Sequence, residues 1–440
     1  MRFATLMLVI ATCAVPALAG SSALPLATYA ANAVSANPSL AEPAIIALRA
    51  RGAEGLATLL DTHRTAIDAV RRGDTTPANW ERLRMAIDRV AAQRDAYASE
   101  LFWHTDLAAA LAESRATGKP VLSLRLLGRL DEELSCANSR FFRTALYAHA
   151  GVSARMRENF VLHWSSERPV PRITIDFGDG RRIESTITGN SAHYVLDAKG
   201  RVVDVIPGLY GPAAFLRELD TAGGQAKRVS GLGAADWKDA QMAYWQERAV
   251  TAEGEWDAMA TRAGAAPKVE LQPDARGVSA QAADPMQAGN PPSATVAAVL
   301  VVGKRAVEAP IVREIDLAPL PDVSAAYDRT VRAIVPFVYG ESRLDAGGVA
   351  MLERHVEPGS DLELVRRNFE VAIASDTVLN RYRIHPMVLG LLMRMPEAEF
   401  TAINRTIYDE VFQTPASDPW LGLKPMGVYT ALEPRVERTK

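Results

Sequence analysis

Cysteine is scarce in this sequence, since 440 residues contain only two, Cys13 and Cys136. Cys13 lies in an N-terminal segment that we expect to be removed, so the mature chain would keep Cys136 alone. A single thiol cannot form an internal disulfide, and the fold must therefore be stabilised by packed apolar cores. Cys136 is then either a buried, inert residue or one that is kept for its reactivity.

Long apolar runs are also lacking, because no stretch approaches the ~20 residues that span a bilayer. The first residues have instead the three parts of a secretory signal peptide: the charge of Arg2, the apolar run 6–11 and an Ala-x-Ala cleavage site ending at Ala19. We predict a signal peptide at 1–19 and an exported protein, periplasmic or extracellular, with no transmembrane segment after cleavage. A lipid-attachment site at Cys13 is the competing interpretation, which the preceding threonine fits poorly.

The sequence also has no large excess of charges of one sign. The sequence has 49 basic and 52 acidic residues, interspersed, and a net charge of −3. This balance argues against nucleic acid as a partner. The seven histidines show neither His-x-x-x-His nor His-Glu-x-x-His spacing, so we predict no metal site and no cofactor.

The length of the chain implies two or three domains, since a domain commonly holds about 100–200 residues. Residues 24–100 carry apolar residues at helical spacing and predict a helical region. Residues 101–222 alternate short β-branched runs with helical segments, which is typical of an α/β domain. We further predict a linker and a helix over 223–262, a low-complexity, disordered segment over 263–294 and a helical C-terminal domain over 295–440.

Within the α/β domain we expect a helix, a strand, a helix, a strand, two hairpins and a closing helix. The corresponding segments are Asp106–Thr117, Pro120–Leu127, Arg140–Glu158, Phe160–Trp164, hairpins centred on Gly178–Gly180 and Asp197–Gly200, and Pro212–Leu219. The glycine-rich stretch from Gly223 to Gly233 predicts the linker that follows.

Several short motifs of this domain occur in the order and spacing of a known superfamily. They are Trp103–Asp106, Gly118–Leu122, Asn159–Val161, Val195–Val202 and Pro212–Leu216. On these motifs the region resembles the thioredoxin-like superfamily, in particular its exported branch, over about a quarter of the chain. The resemblance implies an α/β fold, with a thioredoxin-like central domain flanked by mainly α-helical N- and C-terminal regions.

In that superfamily a Cys-x-x-Cys pair starts the helix after the first core strand, and here Cys136-Ala137-Asn138-Ser139 holds that place. A thiolate at a helix N-terminus is favoured by the helix dipole and by free N–H groups, and the second cysteine resolves the mixed disulfide. With Ser139 in the second place, Cys136 could attack a disulfide but could not complete a dithiol cycle alone. The resemblance therefore implies Cys136 as nucleophile and Ser139 as a hydrogen-bond donor to its thiolate.

The superfamily's cis-proline, which faces the thiol, is replaced too. Ser191 stands where that proline is expected, and Asn190, Ser191 and His193 are the candidate binding residues beside it. His193 and His104 are the histidines that the resemblance would allow near Cys136, as one half of a Cys–His pair. The acidic run 131–133 would raise the pKa of a nearby thiol and so oppose its activation.

Two functions follow as hypotheses. In the first, the protein is an exported thiol–disulfide oxidoreductase with monothiol chemistry at Cys136, acting on a disulfide-bearing protein. In the second, it is a non-catalytic thioredoxin-fold module that binds another protein, with the C-terminal helices as contact surface. Cys136 itself would be a small buried hydrophobe, a reactive thiol, or a ligand for a metal or cofactor. An accessible thiol of lowered pKa belongs to the first function and a buried, inert thiol to the second.

Overall fold

The computed structural model of the chain describes residues 24–74, 76–186, 190–265, 325–356, 358–412 and 414–417. The expected signal peptide, and all but the first residues of the expected low-complexity segment, lie outside these ranges. The described chain is a mixed α/β structure in which many helices surround a four-stranded sheet, and this coarse fold class was predicted. Within these ranges, no helix combines the length and the apolar character needed to cross a membrane.

The N-terminal region is helical and has an apolar core of its own. Its helices are α1 (Leu26–Asn32), α2 (Pro38–Ala50), α3 (Ala53–Thr62), α4 (Arg64–Arg71), α5 (Trp80–Ala91) and α6 (Ala96–Ser99). Helix α2 begins where Asn37 accepts the backbone N–H of Ser39 at 3.0 Å, followed by a proline at its first position. Apolar residues at helical spacing, such as Leu56, Leu59 and Leu60 of α3, are buried between the helices.

The strands fall into two sheets. They are β1 (Val121–Leu127), β2 (Val161–Arg168), β3 (Arg172–Asp176), β4 (Arg182–Thr186), β5 (Ser191–Leu196) and β6 (Val202–Pro207). The main sheet has the order β2-β1-β5-β6, with β1 and β2 parallel and the other pairs antiparallel. Every residue of β5 and β6 is buried, which means that both faces of the sheet are covered.

The separate two-stranded sheet is the hairpin β3–β4, placed where the sequence predicted it. Its turn uses Gly178 and Gly180 at φ of 76° and 92°, a conformation that side chains with a Cβ rarely adopt. Asp176 and Arg182, which face each other across the ends of the two strands, form an ion pair at 2.9 Å.

The helices of the central region are α7 (Leu107–Thr117), α8 (Ala137–Phe141), α9 (Ala150–Asn159), α10 (Pro212–Arg228) and α11 (Ala234–Arg262). Helix α7 begins at the side-chain cap of Asp106, which accepts the N–H of Ala109 at 2.8 Å, and ends at Gly118 with φ of 73°. The predicted strand and helix boundaries around β1 and α7 are therefore confirmed to within one residue.

Two predictions in this region are wrong in extent. The single helix expected over Arg140–Glu158 is α8, a π-helical turn at Phe142–Leu146 and α9, because His149 caps a new helix through the N–H of Val152. The linker expected from Gly223 begins six residues late, since α10 continues to Arg228. A Cβ on Gly223 would lie 3.0 Å from the Phe160 ring, so this glycine serves close packing.

The C-terminal region is helical, with α12 (Ala325–Val338), α13 (Ala346–Glu353), α14 (Leu362–Leu379), α15 (His385–Arg394) and α16 (Phe400–Thr406). A π-helical turn at Asn380–Ile384 joins α14 to α15, and another at Ile407–Val411 follows α16. Buried residues of α15 and α16, such as Leu389 and Ile403, belong to the same apolar core as the sheet. The C-terminal helices are thus part of one structure with the sheet.

A buried carboxylate, Asp204 of β6, ties these regions together. Tyr244 of α11 donates its hydroxyl to Asp204 Oδ2 at 2.5 Å, and His385 Nε2 of α15 lies 2.9 Å from Oδ1. Arg248 Nε lies 3.9 Å from Oδ2. Burial would raise the pKa of Asp204, but the neighbouring side chains of His385, Arg248 and Tyr244 together hold it below its ordinary value.

The turn after β6 is held by α14 in a similar way. Thr377 Oγ1 accepts the backbone N–H of Gly211 at 2.8 Å, and Asn380 Nδ2 donates to the carbonyl of Leu209 at 2.8 Å. A Cβ on Gly211 would lie 2.5 Å from the carbonyl oxygen of Glu341, so the two chain segments touch at backbone distance. Thr377 of α14 and Asn380 of the π-helical turn after it thus hold the turn after β6 in place.

We expect Asp204→Ala to destabilise the protein by about 3–5 kcal/mol, because it leaves His385 and Tyr244 buried without their acceptor. Urea unfolding followed by tryptophan fluorescence measures this, since Trp245 donates its indole N–H to Val203 beside Asp204. The matched control is Asp239→Ala at an exposed position of α11, for which a change under about 0.5 kcal/mol is expected. Equal urea midpoints for the two variants would show that Asp204 does not hold the regions together.

Candidate functional site

Cys136 immediately precedes α8, the helix that follows β1 in the chain. The resemblance to thioredoxin-like proteins implies this place for the cysteine. Its side chain is fully buried and belongs to the apolar core around the sheet. A thiol in this position meets a substrate disulfide only if the surrounding structure opens.

Ser139 is fully buried and lies one helical turn from Cys136. Its hydroxyl donates to the backbone carbonyl of Cys136 at 3.0 Å and also forms a short hydrogen bond with Ser135. The hydroxyl therefore closes the first turn of α8. Its predicted donation to the Cys136 thiolate stays a prediction.

Ser191, at the start of β5, lies against the same helix. Asn138 Nδ2 donates to Ser191 Oγ at 2.8 Å, and the backbone N–H of Gly208 donates to the Ser191 carbonyl at 2.8 Å. The structure therefore brings the Cys136–Ser139 segment and Ser191 together, as the sequence predicted. Both Ser191 polar groups are bound within the protein.

His193 also lies in this buried group. Its Nε2 is 2.7 Å from the hydroxyl of Tyr147, and its ring packs between Phe142 and Phe215 with centroid distances of 4.8 and 4.9 Å. Its Nδ1 has no hydrogen-bond partner within the described chain. Burial lowers the pKa of His193 to about 3, so the ring is neutral at any physiological pH.

Tyr147 links this histidine to the thiol. Burial raises the pKa of Tyr147 well above its ordinary value, and a negative charge on Cys136 would raise it further. Its ring packs on Phe142 and Trp103 at 5.6 and 5.5 Å. Tyr147 and the two rings that pack on it thus form an aromatic layer in this buried group.

His104 has a different position. Its Nε2 lies 2.8 Å from Glu113 of α7, and its backbone extends the edge of β2 through a hydrogen bond to Leu162. Of the two histidines expected near Cys136, the structure therefore places His193 in the buried group and gives His104 a carboxylate partner elsewhere.

The acidic run expected to oppose thiol activation is balanced by arginines. Asp131 and Glu132 lie 2.6 and 3.4 Å from Arg129, and Glu133 lies 2.8 Å from Arg94. Each carboxylate thus has a cation beside it, and its influence on Cys136 is reduced accordingly.

The C-terminal region covers this group. Phe369 of α14 packs on Phe141 of α8 at 5.8 Å, and the Tyr408 hydroxyl donates to the carbonyl of Asn190 at 3.3 Å. Asn190 Nδ2 donates in turn to the carbonyl of Phe412 at 3.3 Å. Burial raises the pKa of Tyr408, and Cys136 lies near enough for its charge to add to that effect. Asn190, a predicted binding residue, thus binds the protein's own C-terminal region.

Helix α13 completes the cover. Asp345 Oδ2 accepts the N–H of Ala150 at 2.8 Å, and a Cβ on Gly347 would lie 2.5 Å from the carbonyl oxygen of Ala148. Only a glycine allows the two backbones to approach this closely. The contact fixes α13 beside the π-helical turn that follows α8.

The sequence analysis did not identify Tyr147, Phe369 or Tyr408. Phe369 and Tyr408 come from segments far from Cys136 in the sequence, and Tyr147 follows a π-helical turn where a continuous helix was expected. No local pattern joins these aromatic residues to the thiol. The exception is Asn138, which stands inside the Cys136–Ser139 run and whose polar side chain faces Ser191. Its position could have been inferred from the sequence.

Among the described residues, no group of three or more histidine, cysteine, aspartate or glutamate side chains is placed to hold a metal ion. Comparison of the chain with protein-family models, with curated proteins and with solved structures finds no match. The function must therefore be argued from the residues themselves.

We expect His193 to make folding stability depend on pH. The unfolded chain binds a proton at His193 near pH 6.5, whereas the folded protein binds it only near pH 3, so stability falls as the pH drops below about 6.5. Between pH 7.5 and pH 5 this amounts to about 2 kcal/mol. The variant His193→Gln, which still offers Tyr147 a hydrogen bond, should lose that much less over the same interval. Urea unfolding at both pH values measures the difference, and parallel curves for the two proteins would contradict a neutral, buried His193.

Proposed function

We propose that this protein is an exported, non-catalytic binding protein built on a thioredoxin-like domain at residues 101–222. Three placements support the fold. Cys136 starts the helix after β1, Ser191 meets that helix from the start of β5, and α10 follows β6 as the closing helix. These are the positions that the sequence resemblance implies for the cysteine motif, the proline site and the last helix.

The burial of the cysteine motif carries the non-catalytic part of the proposal. Cys136, Ser139 and Ser191 are each 0% exposed. Ser139 cannot resolve a mixed disulfide, and the covering residues of α14 and of the turn 407–411 separate the thiol from any substrate. A fold that keeps the motif's position while closing access to it suits binding better than thiol exchange.

The hairpin β3–β4 is the described surface that best fits contact with another protein. Phe177 at its tip is 50% exposed, and the guanidinium of Arg181 lies 5.2 Å from the centre of its ring. Exposed aromatic and arginine side chains are the residue types that contribute most to protein interfaces. The C-terminal helices, expected earlier to supply this surface, have apolar faces packed against the sheet.

We expect Cys136 to react with iodoacetamide at least ~100-fold more slowly in the folded protein than an exposed reporter thiol does, because reaction requires local opening. The reporter is Asp239→Cys in a Cys136→Ser background, and Cys136→Ser alone gives the blank. Labelling should be slow from pH 6 to pH 9 and become fast in urea. Rapid labelling of the folded protein, with a midpoint below the ordinary ~8.5 of a thiol, would support monothiol chemistry and refute the proposal.

We expect a photo-crosslinking amino acid in place of Phe177 to yield a discrete adduct with one protein of the compartment into which the chain is exported. The matched control places the same amino acid at Glu247, an exposed position of α11. Adduct formation from 177 alone, analysed by gel and mass spectrometry, supports a partner at the hairpin. No adduct at 177, or the same pattern from both positions, would show that the hairpin is not a binding surface.

A further inference from the structure

A cleft of about 400 Å³ lies between the N-terminal helices and the β2 edge of the central sheet. Helix α3 forms one wall, with Leu56, Ala57 and Leu60, and the start of β2 forms the other, with Phe160 and Leu162. This volume falls in the range of ~300–1,000 Å³ that is usual for small-molecule sites. The cleft is separate from Cys136 and from the hairpin.

The carboxylates of the cleft already have cationic partners. Arg64 binds Asp61 at 2.9 Å and Glu100 at 2.5 Å. Glu113 is bound by His104 at 2.8 Å. A ligand therefore finds little free negative charge on this side of the cleft.

Two cations of the cleft lack such partners. Lys119 Nζ donates to the carbonyl of Arg157 at 3.0 Å, and Arg157 Nη1 donates to the carbonyl of Ser99 at 2.5 Å. Within the described ranges neither forms an ion pair with a carboxylate. A lysine has three N–H donors and an arginine five, so both keep donors for a further acceptor.

The two cations and the apolar walls together fit a ligand that has one anionic part and one apolar part. An anionic group would bind Lys119 and Arg157 through charge-assisted hydrogen bonds. An apolar tail would lie against Phe102 and Phe160, which line the same cleft. An inorganic anion would make no use of the apolar walls, and a neutral apolar molecule would make no use of the remaining N–H donors of the two cations.

We propose that this cleft binds a small monocarboxylate with an apolar tail, its carboxylate at Lys119 and Arg157 and its tail between α3 and β2. This is a binding activity beyond the proposed contact of the hairpin with a protein. Its test does not depend on that contact or on the state of Cys136.

The first test is calorimetric titration of the full chain with octanoate, with 1-octanol and inorganic phosphate as probes of each half alone. Octanoate should saturate one site and bind at least ~10-fold more tightly than either control compound. Equal affinity for octanol, or no saturable binding of octanoate, would overturn the proposal.

Two pairs of variants locate the site. Lys119→Met should weaken octanoate about tenfold, whereas Lys227→Met, at an exposed position of α10, should leave it unchanged. Ala57→Glu adds a carboxylate at an exposed position of the α3 wall and should abolish binding, whereas Thr62→Glu, at an exposed position of α3 outside the cleft, should not. Circular dichroism confirms that each variant is folded. Unchanged binding by Lys119→Met or Ala57→Glu would place the octanoate elsewhere and refute the assignment.

Discussion

The carboxylate of Asp204 is the interaction on which the arrangement of the whole protein depends. A buried, ionised carboxylate costs several kcal/mol unless hydrogen bonds and opposite charge surround it. Its partners, Tyr244 and His385, come from α11 and α15, two segments that are far apart in the sequence. If either segment were not packed on the sheet, the buried carboxylate would lose a hydrogen-bond partner. The free-energy cost of that loss makes the association of the sheet, α11 and the C-terminal helices specific as well as stable.

The closed state of the Cys136 group follows from this association. Once α15 is fixed on β6, the neighbouring α14 and the segment after α16 bring Phe369 and Tyr408 over α8. Close backbone approaches at Gly211 and Gly347 pack the segment 341–347, which precedes α14, against the central region. The burial of the thiol therefore depends on distant helices as well as on its own helix.

The features of the fold and of the site that could be predicted are those that depend on residues close together in the sequence. The strands and hairpins follow from short β-branched runs and from glycines such as Gly178, whose conformation the turn requires. Gly223 led to a wrong linker boundary, because this glycine allows close packing against Phe160 and does not mark the end of a helix. The contact between the cysteine motif and Ser191 was predictable from the resemblance, and a buried Cys136 was one of the alternatives that the sequence left open. The aromatic cover comes from α14 and the turn after α16, and no periodicity in one sequence joins those segments to Cys136.

The position of the cover at the end of the chain has a consequence for how the protein is made. Translation delivers the N-terminus first, so the strands of the sheet and Cys136 emerge well before Phe369, His385 and Tyr408. During that interval the Asp204 carboxylate remains hydrated and the thiol remains exposed to solvent. The last of the described helices therefore complete the burial of Cys136, and a chain that stops short of them would leave this thiol open to its surroundings.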